Sequence, residues 1–231
     1  MRMNNCRFLL IGFFLLIGIS VYAEEKVPGK YWKAELLGTL TNYSAWEVEP
    51  SVTYQPFRYV GVTLGLVFSR PINEEGFAGK SQDKQWNWSA GSENDGSHFF
   101  SIRPSLQFST PSLVFGKDKD CEVYFTFMPG LTLPLPANAV FDVEYYPNQP
   151  GVWSADKVVR VRNEGASSVF YQFRGALSLE LEGGAIFSIG YSFSNYDLYS
   201  GTRNITIEGR KLNPKKQSFM HSFFLGLGFR F

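Results

Sequence analysis

The chain has 231 residues, of which 44% are hydrophobic and 19% charged, and its formal net charge at pH 7 is +1. A charge this close to zero argues against a nucleic-acid-binding protein. The two cysteines are Cys6, near the N-terminus, and Cys121, so a framework of disulfides is not expected.

The first 23 residues have the pattern of a cleaved export signal. Arg2 and Arg7 precede an uncharged apolar stretch that runs from residue 8 to residue 20, and Ala23 precedes two glutamates. The apolar stretch is shorter than the roughly 20 residues that a membrane-spanning helix needs. We therefore predict a signal peptide over residues 1–23 and one mature domain over 24–231. An uncleaved anchor is the alternative.

Most of the remaining chain alternates apolar and polar residues with a period of two. Residues 60–69, VGVTLGLVFS, are a clear example, since Val60, Val62 and Leu64 alternate with glycine and threonine. This period is typical of β-strands with one apolar face. The predicted strands are residues 31–43, 45–54, 59–70, 98–109, 121–132, 167–181, 185–195 and 218–231.

The connections between these strands differ in length. After a tight turn near residues 42–44, the third, fifth and seventh connections are long and polar, and the others are shorter. In an up-and-down barrel the odd-numbered connections share one end, so the three long loops should emerge together. Residues 133–166 resemble a hairpin outside the barrel. If that hairpin spanned instead, the barrel would have ten strands rather than the expected eight.

Two architectures use strands of this kind. A soluble, lipocalin-like barrel turns its apolar faces inward, whereas a transmembrane barrel turns them outward to lipid. The polar faces here combine Gly, Ser and Thr with isolated Glu and Arg, as a narrow filled lumen requires. Several apolar faces are long enough to cross hydrocarbon, which takes about 9–11 residues per tilted strand. The pattern favours an all-β, antiparallel, up-and-down transmembrane β-barrel.

The C-terminal stretch FFLGLGFRF, residues 223–231, ends on an aromatic residue of an alternating strand. With the leader and the other strands, it resembles the small outer-membrane β-barrel proteins of Gram-negative bacteria, of the OmpA/OmpX type. Residues 49–70 resemble a hairpin common among such barrels in the Bacteroides group. The resemblance implies an outer-membrane location, contact with outer-membrane lipid, and a monomer. It also implies a C-terminal signal read by the barrel-assembly machinery, formed by Leu225, Leu227, Phe229 and Phe231.

If the apolar faces point outward, a set of charged side chains points into the lumen. An eight-stranded barrel is just wide enough for side chains to fill it, and buried charges need partners. We therefore expect a structural salt-bridge network. A narrow channel controlled by Arg103 or Arg174 is the alternative. The predicted lumen residues are Lys33, Glu35, Glu47, Glu49, Arg103, Glu122, Arg174, Glu180 and Arg230.

Signals for catalysis are weak, and we predict no catalytic, cofactor or metal site. The chain has two histidines, His98 and His221. His221 and Ser222 are adjacent on a predicted strand and should point to opposite faces, so they cannot form a dyad. Zinc-ligand spacings, a P-loop and a nucleophile elbow are absent from the sequence. A lipid-modifying outer-membrane enzyme is a weaker alternative to a non-enzymatic barrel.

The first long loop contains Trp86 and Trp88. Tryptophan is enriched in interaction hot spots, so the two rings are candidates for contact with a surface ligand or host partner. The alternative is that they pack the loop onto the barrel rim. The sequence thus predicts a non-enzymatic outer-membrane barrel with a structural or binding role.

Overall fold

The structure is a computed structural model that describes residues 30–72, 76–90, 99–116, 121–152 and 154–231. The predicted signal peptide and His98 lie outside the described residues. In the part of the chain that is described, no helix is long and apolar enough to cross a membrane.

The described residues form fifteen strands and one 3₁₀ turn, at Pro136–Ala139. The strands are β1 (Trp32–Thr41), β2 (Ala45–Tyr54), β3 (Val60–Pro71), β4 (Phe77–Lys80), β5 (Trp86–Ala90), β6 (Phe99–Ser109), β7 (Leu113–Phe115), β8 (Cys121–Pro134), β9 (Val140–Pro147), β10 (Lys157–Arg162), β11 (Phe170–Leu181), β12 (Ala185–Ser194), β13 (Thr206–Ile207), β14 (Arg210–Lys211) and β15 (Met220–Arg230).

Eight of these described strands form a closed antiparallel barrel in the order β1-β2-β3-β6-β8-β11-β12-β15, with β15 returning to β1. All eight predicted strands are present, and the hairpin within 133–166 does not span, so the prediction of an eight-stranded, up-and-down barrel is confirmed. At the seam, the backbone amide of Phe231 donates to Trp32 O at 2.9 Å, and that of Trp32 donates to Phe231 O at 3.1 Å. Closure leaves no barrel strand with an unpaired edge.

The two faces of the barrel wall are inverted relative to a soluble barrel. The outward side chains of β15 are large and apolar, and Phe223, Leu225 and Leu227 are 71%, 65% and 61% exposed. The inward residues include polar ones, and Thr53 and Thr126 are 0% and 1% exposed. A barrel that buries its polar face and exposes its apolar face is suited to lipid on the outside.

The lumen is narrow enough that glycine is needed opposite some large side chains. A Cβ added at Gly65 would lie 2.2 Å from Glu49 Oε1, and one at Gly190 would lie 2.3 Å from Phe224 Cζ. The absence of a side chain at these two positions therefore makes room for the inward Glu49 carboxylate and the Phe224 ring.

The long connections fold together at one end of the barrel into what we call the cap. The cap consists of a four-stranded sheet, ordered β10-β9-β5-β4, and the β13–β14 hairpin. Its own apolar core contains Trp88, Ala90, Val143, Ile207 and Leu212. Because the cap buries apolar side chains from all three long loops, these loops form a folded layer above the barrel.

Candidate functional site

The first feature inside the barrel is a buried ion network centred on Glu49. Arg174 donates to this carboxylate through Nη2 at 2.6 Å and Nη1 at 3.1 Å. Arg103 donates to Glu49 Oε2 at 2.9 Å and to Glu47 Oε1 at 3.0 Å. Ser69 donates to the same Glu47 oxygen at 3.0 Å. Two guanidinium groups thus clamp one carboxylate, and the forked geometry of arginine suits such multidentate contact.

A second network lies nearer the barrel end opposite the cap. Arg230 Nε donates to Glu180 Oε1 at 2.8 Å, and Arg230 Nη1 donates to Gln55 Oε1 at 3.0 Å. Close by in the lumen, Lys33 Nζ lies 2.7 Å from Glu35 Oε2. These contacts link side chains of β2, β3, β6, β11 and β15 across the lumen, whereas the Lys33–Glu35 pair lies within β1.

An apolar cluster fills the lumen beside the first network. Leu37, Met128, Ala176 and Phe224 pack together and are buried. The guanidinium carbon of Arg174 lies 5.2 Å from the centroid of the Phe224 ring, which is within cation–π distance. The ring thus covers one face of the guanidinium while Glu49 binds its nitrogen atoms.

The cap end of the lumen is closed by a cluster of buried side chains that we call the lid. Beneath the cap, Tyr43 and Tyr199 pack at 6.1 Å between ring centroids, and Phe170 and Tyr196 at 5.1 Å. The Tyr43 hydroxyl donates to Asp197 at 3.3 Å and accepts from the Gln217 amide at 3.1 Å. The members of the lid are Tyr43, Ala45, Phe99, Phe170, Tyr196, Leu198, Tyr199 and Met220.

The lid gives a testable pH dependence. Burial, with a smaller contribution from the Asp197 carboxylate, raises the pKa of Tyr43 to about 12 from its ordinary value of 10.0. The folded protein therefore retains a proton that the unfolded chain releases, so this contribution to stability is complete below pH 10 and is lost as the pH rises toward 12. We expect the free energy of unfolding to fall less in this pH range for Tyr43→Phe than for the native protein. Guanidinium unfolding at about pH 9 and pH 11 measures the difference. An equal fall in both proteins would contradict the assignment, and Tyr54→Phe, with an exposed phenol, is the control.

The structure places eight of the nine predicted lumen charges inside the barrel, each in an ion pair. Four are basic and four acidic, so the lumen charges balance. The prediction for Glu122 is wrong. Its position has the inward parity, but it is the second residue of β8, at the barrel rim, and its side chain is exposed.

The structure also corrects the interpretation of the tryptophans. Trp88 is 1% exposed in the cap core, so it cannot anchor a partner, and Trp86 is half-buried. The alternative, packing onto the barrel rim, is also wrong for Trp88, because its neighbours belong to the cap.

The histidine that lies within the described residues is on the outer face of the barrel. The His221 ring is exposed and hydrogen-bonds the Tyr191 hydroxyl, whereas Ser222 faces the lumen and is 1% exposed. The two side chains are on opposite sides of the wall. Among the residues that the structure describes, no group of three or more His, Cys, Asp or Glu side chains is placed to hold a metal ion.

Two asparagines that the sequence does not single out hold the long connections in place: Asn138 joins the 3₁₀ turn to barrel strand β6, and Asn163 joins two of the long connections to each other. Asn138 Nδ2 donates to Phe100 O at 2.7 Å, and Asn163 Nδ2 donates to Gly201 O at 2.9 Å. Asn138 lies between two alanines and Asn163 between Arg162 and Glu164, and no spacing in the sequence distinguishes either asparagine from other loop residues.

No family model and no curated protein matches the chain. Among solved structures, the chain is similar to the N-terminal β-barrel domain of Pseudomonas aeruginosa OprF, with 10% identity over 87% of this chain and 96% of that one and a TM-score of 0.40. It is also similar to Neisserial surface protein A, with 10% identity over 87% and 97% and a TM-score of 0.42. The outer membrane enzyme PagL has 10% identity over 85% and 98% and a TM-score of 0.30. At such low identity and TM-scores, function has to be argued from this chain's own residues.

Proposed function

We propose that this protein is an integral outer-membrane barrel with a plugged lumen, and that its folded cap serves a structural or binding role at the cell surface without catalysis. The observation that carries the proposal is the inverted barrel wall, with its apolar side chains outside and its paired charges inside. The alternatives are a conducting channel and a soluble binder, and each makes a different physical demand on the barrel.

The outer surface favours lipid over water. Leu36, Leu64, Ile189 and Phe223 on β1, β3, β12 and β15 are each more than half exposed, and Val52 on the intervening β2 is 46% exposed. Soluble monomers rarely expose a continuous apolar area of this kind, whereas a closed barrel satisfies every backbone group within lipid. Outer-membrane lipid is therefore the proposed surrounding of the barrel.

The outward residues of β15 support the proposed assembly signal. Phe229 and Phe231 are 49% and 57% exposed, and Leu225 and Leu227 lie on the same outward face. An exposed apolar row on the strand that closes the barrel is accessible to the barrel-assembly machinery, which we propose as a partner during insertion.

The lumen opposes conduction. Arg103 and Arg174, the residues on which a selective path would depend, both donate to Glu49, and the lid covers the cap end. A permeating ion would have to separate buried ion pairs and cross the apolar cluster around Phe224, and both steps are costly.

The cap suits recognition because it has its own core. Val143 is 0% exposed and Trp88 is 1% exposed, so the cap sheet is held in one conformation. A preorganised surface loses less entropy on binding than flexible loops do. A surface ligand or host partner of the cap is accordingly part of the proposal.

Two measurements test the proposed function. We expect the protein to fractionate with the outer membrane and to migrate differently on SDS gels with and without boiling. Reconstituted in a planar bilayer, it should give no conductance steps, with an open porin as the positive control. Conductance that changes in Arg103→Ala or Arg174→Ala would establish a channel instead. A soluble periplasmic protein without a heat-dependent shift would indicate a lipocalin-like binder.

A further inference from the structure

A cleft of about 500 Å³ lies where the cap meets the barrel. It is formed by the end of β8 and the 3₁₀ turn on one side, and by the connection from β10 to β11 on the other, with Ser200 and Gly201 closing it. Because β8 ends at Pro134 and β11 begins at Phe170, the cleft lies just beyond the outward apolar band. That this level corresponds to the lipid headgroups rests on the proposed function, whereas the residues that line the cleft do not depend on it.

The walls of this junction cleft are fixed by backbone contacts. Asn138 both accepts from the Phe100 amide, at 3.1 Å, and donates to the Phe100 carbonyl, at 2.7 Å. Asn163 donates to the carbonyl oxygens of Gly201, at 2.9 Å, and Arg203, at 3.2 Å. Gly201 packs so closely that a Cβ there would lie 2.1 Å from Asn138 O. The cleft therefore exists before any ligand binds.

Polar side chains in the cleft are left without protein partners. Arg162, Glu164, Ser167 and Ser168 line it and are exposed. Across the described ranges, no hydrogen bond or ion pair involves any of these four side chains. They contrast with Asn138 and Asn163, whose polar groups are used to hold the walls. The cleft thus offers a guanidinium donor, a carboxylate acceptor and two hydroxyls that both donate and accept.

The opposite wall is apolar, with Pro134, Leu135, Pro136 and Ala139. A sugar ring has the matching surfaces, with C–H groups on its faces and hydroxyls around its edge. The volume is within the range of about 300–1,000 Å³ that small-molecule sites occupy. Glu164 would repel a lone phosphate, and an acyl chain has no group that could hydrogen-bond these four side chains.

We propose that the junction cleft binds a saccharide, which is either a free glycan or the sugar headgroup of an outer-leaflet lipid. Arg162 and Glu164 bind hydroxyl groups at the edge of the ring, Ser167 and Ser168 add hydrogen bonds, and the proline and leucine side chains cover a face of the ring.

Saturation-transfer NMR tests this proposal with the folded protein in phosphocholine nanodiscs. The probes are the methyl glycosides of glucose, galactose, mannose and N-acetylglucosamine. We expect saturable millimolar binding of at least one probe, and a loss of about tenfold or more in affinity in Arg162→Gln, since charge-assisted hydrogen bonds carry such an effect. Arg160→Gln is the matched control, because Arg160 is on the same strand but is paired with Asp142 at 2.9 Å outside the cleft.

Nanodiscs that contain lipopolysaccharide distinguish the two sources of the sugar. If a lipid headgroup occupies the cleft, glycoside binding is lost in these nanodiscs. If free glycans are the ligands, glycoside binding is the same as in phosphocholine nanodiscs. Absence of binding by all four glycosides, or equal affinity in Arg162→Gln, Glu164→Gln and the native protein, would overturn the proposal. If the heat-dependent gel shift persists in that case, only the saccharide site is rejected. If the native protein lacks the shift, the membrane barrel is rejected as well.

Discussion

A Glu49→Ala variant is expected to lose about 3–5 kcal/mol of its free energy of unfolding, because removing one member of a buried ion network leaves the others charged without a partner. Glu49 is 1% exposed and binds both Arg103 and Arg174. Its loss also leaves Gly65 facing a void where the carboxylate was. Guanidinium unfolding of the barrel in phospholipid bilayers, followed by tryptophan fluorescence, measures the change.

Two further variants serve as a control and as a rescue for this prediction. Asp142→Ala breaks the exposed ion pair with Arg160 in the cap and should leave barrel stability unchanged, as exposed pairs contribute little. Combining Glu47→Leu, Glu49→Leu, Arg103→Met and Arg174→Met replaces the four charged members of the network by apolar side chains. Such replacements are often neutral or stabilising, so we expect this variant to recover most of the loss. A Glu49→Ala barrel as stable as the native one would show that water enters the lumen and solvates the arginines.

The barrel could be predicted from the sequence because each of its strands carries its own signal. In β3, residues 60–69 alternate without interruption, so the period of two indicates both the strand and its two faces. The same alternation assigned Glu49 and Arg103 to the inner face. Closure followed from physical reasoning, since a strand with an open edge is not tolerated in lipid.

The pairing of charges near the barrel end could not be predicted in this way. Glu122 and Glu180 have the same inward parity and are direct neighbours in the pairing of β8 with β11. Glu180 pairs with Arg230, whereas Glu122 is exposed at the rim. Parity determines which face a residue occupies, but it does not determine which of two neighbouring carboxylates the distant Arg230 reaches, and that choice has no local signal in the sequence.

Of the cap, only the hairpin within residues 133–166 was predicted, because the other contacts of the cap join distant loops. β5 pairs with β9, which aligns Trp88 with Tyr145, and the cap core adds Ile207 from a third loop. Residues 86–90 do alternate, but a strand of five residues without a known partner cannot be distinguished from a polar loop that carries aromatic anchors. The junction cleft has the same origin, since its walls come from three separate connections.

Trp88→Ala is expected to unfold the cap while the barrel remains intact. Replacing a fully buried large aromatic side chain by alanine costs about 3–5 kcal/mol, and Trp88 is the largest fully buried side chain of the cap core, whose other buried members are Ala90, Val143, Ile207 and Leu212. The barrel is stabilised by its own closed ladder of strands, so the loss should appear as local unfolding.

Limited trypsin digestion measures this effect, because the cap strands contain cleavage sites at Lys80, Lys157 and Arg160. The Trp88→Ala protein should be cut at these sites much faster than the native protein, yet its heat-dependent gel shift should be unchanged. Trp86→Ala is the matched control, since the half-buried Trp86 lies on the same strand, and it should be cut more slowly than Trp88→Ala. If Trp88→Ala also abolished the gel shift, the cap and the barrel would fold as one cooperative unit. The cap would then be part of what stabilises the barrel, and not a separate layer on which a binding surface could vary freely.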